Sequence, residues 1–153
     1  MILLFSFSLA FAAFNPSVMT DQVPTDSRSG AYRVHIDYMK FRPELRDDPK
    51  LWYGFQGWTE PVLVRKIEIY YRGKRIDVPR SVYADLANVD TLAVETRKRG
   101  CVVLVEGGDA ADSYRLTIKV TGEHVDSRDL RDGEFPDNYW EKTIYHDDPT
   151  GIE

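Results

Sequence analysis

From residue 31 onward apolar and polar positions alternate in short runs, and those runs are separated by turn residues. Tyr32, Val34, Ile36 and Tyr38 alternate with Arg33, His35 and Asp37. Ile67, Ile69 and Tyr71 alternate with Lys66, Glu68 and Tyr70; the pattern breaks at Arg72-Gly73 and resumes through Ile76 and Val78. Leu92, Val94 and Thr96, then Cys101, Val103 and Val105, then Tyr114, Leu116, Ile118 and Val120 continue it. A period of two places successive side chains on opposite faces of a strand, so each run predicts one buried and one wet face. The stretch Pro61 to Val120 thus reads as a β-meander.

Punctuation between the runs refines this picture. Arg97-Lys98-Arg99-Gly100 predicts a basic hairpin turn, and Gly122 a bulge, because strict alternation beyond it would bury His124 and Asp126 and expose Val125. Pro79 followed by Ser81, Val82, Tyr83 and Leu86 predicts one short helix over about 81–87, docked by its apolar face. Ser127 to Asn138 is charged and turn-rich, and Tyr139 to Tyr145 predicts a final strand. The fold expected is mainly β: an antiparallel β-sandwich or flattened barrel of about seven or eight strands with one short helix.

The first thirty residues break the pattern. Ile2 to Phe14 is apolar apart from two serines and carries no charge, yet at thirteen residues it is too short to cross a bilayer, which needs about twenty. With Ala10-Phe11-Ala12 as a small-x-small site, it predicts a signal peptide over 1–12, cleaved after Ala12, although a basic n-region is missing. The competing reading makes this run a strand or buried helix of the domain itself. Residues 13–30 then form a flexible lead-in, 31–146 a single β domain and 147–153 a polar tail. On this reading the protein is exported, periplasmic or extracellular, with no transmembrane span in the mature chain.

Composition narrows the partners. A net charge of −5 and a pI near 5.2 disfavour nucleic acid and anionic membranes. The charge is uneven: Arg65 to Arg99 holds nine Lys or Arg against five Asp or Glu, and Glu106 to Glu153 five against thirteen. Cys101, the single cysteine, is in phase with Val103 and Val105 and is expected to be a small buried hydrophobe without a disulfide.

Candidate chemistry is sparse. Leu51 to Trp58 (LWYGFQGW) gathers Trp52, Tyr53, Phe55 and Trp58 around two glycines, either as an aromatic binding platform or as a satellite core over one end of the sheet. Glu106, Asp109 and Asp112 surround Gly107-Gly108 and are weak metal candidates, since the spacing matches no standard calcium loop. His35, His124 and His146 are each followed two residues later by aspartate, a spacing that brings the pair to one strand face. Glu68 and Glu95 are the carboxylates placed best for a glycosidase-like pair. None of these makes a complete catalytic set, and no cofactor is implied. The expectation is an exported, non-catalytic binding domain for a protein or other macromolecule, of inhibitor or immunity type; the alternatives are a carbohydrate-binding module and a secreted hydrolase with a His-Asp or carboxylate site.

Overall fold

A computed structural model describes residues 23–42, 52–55 and 60–146. Among these residues nine strands form two antiparallel sheets that pack face to face as a sandwich. The first sheet holds β1 (Asp26–Ser29), β2 (Tyr32–Lys40), β3 (Val62–Tyr71) and β4 (Lys74–Ile76), in that order. The second holds β5 (Val89–Arg97), β6 (Gly100–Gly107), β7 (Tyr114–Thr121), β8 (His124–Asp132) and β9 (Tyr139–Ile144), again in chain order.

The alternation read from sequence is the alternation that folds. Val34 and Ile36 of β2, Ile67 and Ile69 of β3, Val103 and Val105 of β6, and Leu116 and Ile118 of β7 are all at most 1% exposed and meet between the sheets. Removing such a side chain from water is worth about 1.5–3 kcal/mol, so these eight residues account for a large share of the driving force. Cys101 lies among them, buried and unbridged.

Three elements differ from expectation. The lead-in ends early: Asp26–Ser29, polar throughout, pairs with β2 from Asp26↔His35 to Ser29↔Tyr32. Such an edge strand can be polar because the core takes little from it. The short helix is a single 3₁₀ turn, Arg80–Val82, followed by irregular turns, and only Val82 of that turn is buried. The charged stretch after Ser127 is part of β8, whose Ser127, Arg128, Asp129 and Leu130 are all buried. Among the described residues these add β1 and β8 to the strands read from sequence, and the count becomes nine.

Four hairpins share one end of the sandwich, and each turns in two residues: 30–31, 72–73, 98–99 and 122–123. Loops this short favour left-handed backbone, which Gly30, Arg72, Gly73 and Gly122 adopt. At the opposite end the connection from β4 to β5 changes sheets, and its Val82, Leu86 and Ala87 are fully buried there.

Candidate binding site

At that crossover end, residues 52–55 are threaded into the backbone of the connection. The Tyr53 amide donates to the Asp85 carbonyl at 2.8 Å, and the Ala87 amide donates to the Tyr53 carbonyl at 2.9 Å. Asn88 Nδ2 donates to the Gly54 carbonyl at 2.7 Å, while Asn88 Oδ1 accepts from the Val62 amide at 2.9 Å. Gly54 is buried with φ of +84°, and a Cβ there would lie 2.5 Å from the Ala87 carbonyl and 2.8 Å from Tyr114 Cε1. Only glycine fits this crossing without displacing its neighbours.

The threading fixes Tyr53 beside Arg128. A register shift near Val120 leaves Asp126 as the extra residue of β8, so Val125 stays inside and Arg128 enters the interior opposite Ile118. The Arg128 side chain is 1% exposed. Its Nη1 and Nη2 donate to the two Asp85 carboxylate oxygens at 2.8 and 2.7 Å, and Nη1 donates also to the Ser81 carbonyl at 2.6 Å. Burial works against the Arg128 charge, but the Asp85 hydrogen bonds and the charges of Asp85 and Glu141 outweigh it and hold the proton more firmly than usual. Arg128 Nε is buried without a hydrogen-bond partner among the described residues, 3.6 Å from Glu141 Oε1.

Aromatic rings close this cluster toward solvent. The Arg128 guanidinium lies 6.0 Å from the Tyr53 ring centroid, and Tyr53 stacks on Trp140 of β9 at 5.5 Å with 17° between the planes. Burial pushes the Tyr53 phenol up, and the negative charges of Glu141 and Asp85 add to this. Trp52 turns the other way and meets Phe41 edge to face at 5.6 Å. Trp52, Tyr53 and Phe55 are all half-buried, and Tyr53 packs against the core. Trp58 lies outside the described residues.

Beyond the cluster, β9 is an edge strand, and apolar groups are exposed along it and along the turn before it. Phe135 is 63% exposed, Ile144 58%, Tyr139 51% and Trp140 37%. A second register shift, between Leu130 and Arg131, leaves Trp140 as the extra residue. Beside it, Tyr139 donates to Asp129 Oδ2 at 2.5 Å and lies 4.1 Å under the Arg131 guanidinium, while Arg131 Nε donates to Asp129 Oδ1 at 2.9 Å.

The other sequence candidates are placed apart. Glu106 accepts from Arg115 Nε at 2.6 Å across β6 and β7, while Asp109 and Asp112 are exposed on the loop. Among the described residues no three His, Cys, Asp or Glu side chains are grouped to hold a metal ion. His35 Nδ1 meets Asp26 across β1 and β2 at 3.2 Å, whereas Asp37 is engaged by Arg65. Asp126 accepts from Thr121. His146 is exposed, and its aspartates lie outside the described residues. Glu68, on the first sheet, accepts from Lys66 and Tyr70, and Glu95, on the second, pairs with Arg97. Sequence reasoning missed Arg128, Asp85 and the β9 edge. Trp140 and Ile144 were visible as strand residues, but nothing local marks which strand ends a sheet.

No family model, no curated protein and no solved structure matches this chain.

Proposed function

We propose that this protein is a binding domain whose partner is another protein, held along the β9 edge next to the Tyr53–Trp140 stack. The observation that carries this reading is the concentration of exposed Phe135, Tyr139, Trp140 and Ile144 on one edge strand and its leading turn. Edge strands leave backbone donors and acceptors unpaired, and protein surfaces ordinarily protect such edges with charge or proline. Here Glu141 and Lys142 are flanked by large apolar groups instead. An extended segment laid beside β9 would gain main-chain hydrogen bonds and bury alternate side chains against these residues. The apolar run over 1–12, read as a leader, supports a place outside the cytoplasm for this interaction.

Selection of random peptides on the immobilised protein tests the reading. Enriched peptides are expected to shift the backbone NMR signals of Tyr139–Ile144 and to lose at least tenfold in affinity to Ile144→Lys, with the melting temperature unchanged. Failure to enrich any peptide, together with Trp140-dependent binding on a glycan array, would replace it with the carbohydrate-binding reading. Turnover of a glycoside or ester that disappears in a carboxylate or histidine variant of normal stability would replace it with the hydrolase reading.

A further inference from the structure

The hairpin end of the sandwich carries a second feature, independent of the β9 edge. Between the turns lies an open cavity of about 300 Å³, whose lining includes Tyr32, Tyr71, Arg97, Lys98 and Arg99. Half-buried Tyr71 gives its aromatic wall, backed by Tyr32, which is buried: their ring centroids are 4.8 Å apart with 34° between the planes, and Tyr32 donates its hydroxyl hydrogen to the Gly122 carbonyl at 3.3 Å. Around this hollow the chain brings five cations together, because two of the four turns, 72–73 and 98–99, are basic and Lys74 and Arg97 flank them. Two are answered by carboxylates: Arg97 by Glu95 at 2.6 Å and Lys74 by Glu123 at 2.5 Å. Arg72, Lys98 and Arg99 form no ion pair among the described residues, and the Arg72 guanidinium lies 5.2 Å over the Tyr71 ring.

A protein of net charge −5 that assembles unanswered cations around an aromatic hollow has a local field opposite to its overall one. The hollow is at the lower end of the size range of small-ligand sites and larger than a bare oxyanion requires. We propose that this pole binds a small ligand made of a flat ring bearing an anionic group, phosphate, sulfate or carboxylate. The ring lies against Tyr71, and the anion is met by Lys98 and Arg99 from the β5–β6 turn. Guanidinium and ammonium groups suit such oxyanions, and the aromatic contact adds area that a bare ion cannot use.

Titration of the full-length protein with phenyl phosphate, followed by backbone NMR, tests this against inorganic phosphate and phenol as separate arms. Phenyl phosphate is expected to give saturable shifts confined to the turns at 30–31, 72–73, 98–99 and 122–123, and to bind more tightly than either fragment. Raising salt should weaken binding, as the charges are exposed. The double variant Lys98→Glu/Arg99→Glu sits at a solvent-facing turn, so it should fold normally and lose at least tenfold in affinity. Shifts spread over the surface, affinity no better than that of phosphate or phenol, or binding untouched in a normally folded double variant would each overturn the proposal. Shifts confined to β9 would do so as well.

Discussion

At the residue scale the molecule turns on the buried charge of Arg128. Arg128 is held by both oxygens of Asp85 and by the Ser81 carbonyl, and taking either charge out of water is costly unless the other remains. Asp85→Ala leaves the buried guanidinium with only the Ser81 carbonyl and Glu141 at 3.6 Å to answer it and is expected to cost about 3 kcal/mol in chemical denaturation. The double variant Asp85→Ala/Arg128→Met removes the stranded charge and should be more stable than Asp85→Ala alone; a double variant that is less stable would show that the pair does not act as a unit. Asp129 makes a different prediction. The hydrogen bond from Arg131 is the largest of the causes that hold its carboxyl below the ordinary value of 3.8, with Tyr139 adding a second. A folded-state value depressed below the unfolded one contributes stability that is present above about pH 4 and lost as pH falls through the folded value. The stability gap between the parent and Asp129→Asn should therefore be constant near neutrality and narrow below pH 4, as followed by denaturant melts at each pH. A gap that widens on acidification would contradict the assignment.

At the scale of elements, hairpins and strands were legible in the sequence where burial follows a period of two. The alternation in β2, β3, β6 and β7, the two-residue turns at Arg72-Gly73 and Lys98-Arg99, and the burial of Cys101 were all readable, because each depends on near neighbours. β1 and β8 were not. β1 is polar, so its pairing with β2 leaves no apolar trace, and β8 buries an arginine whose partner lies 43 residues away. Half of the candidate site was equally hidden: Tyr53 stood out as an aromatic, while its stacking on Trp140 depends on sheet order. The glycines give the element-scale prediction. Gly100 follows the β5–β6 turn, and a Cβ there would overlap the Val120 carbonyl of the neighbouring strand. Gly73, by contrast, has φ of +82° with open space around it. Gly73→Ala should then cost only the strain of a left-handed backbone, about 1–2 kcal/mol. Gly100→Ala must push β6 from β7 and should lower the melting temperature much further. Equal melting temperatures for the two variants would mean that the β6–β7 register at Gly100↔Thr121 is wrong.

At the scale of the whole molecule, the sandwich separates its two poles and draws its core from residues on both sheets between Tyr32 and Tyr145. The basic middle of the chain and its acidic later part are stitched together in places, by Lys74 to Glu123 and by Asp85 to Arg128. The hairpin pole remains basic because its turns carry Arg72, Lys98 and Arg99 together. A core closed in this way lets the export reading be tested apart from the binding readings. If 1–12 is a leader, a chain beginning at Ala13 keeps every core residue named above and should melt at the same temperature as the full chain. Mass spectrometry of protein from the native host should find a mature N-terminus near Ala13, since Ala10-Phe11-Ala12 supplies the small residues that a signal peptidase needs. The two measurements fail in different ways. An intact Met1 in a cytosolic fraction would remove export while leaving the β domain as described, and a chain from Ala13 that melts far below the full one would make the apolar run part of the fold.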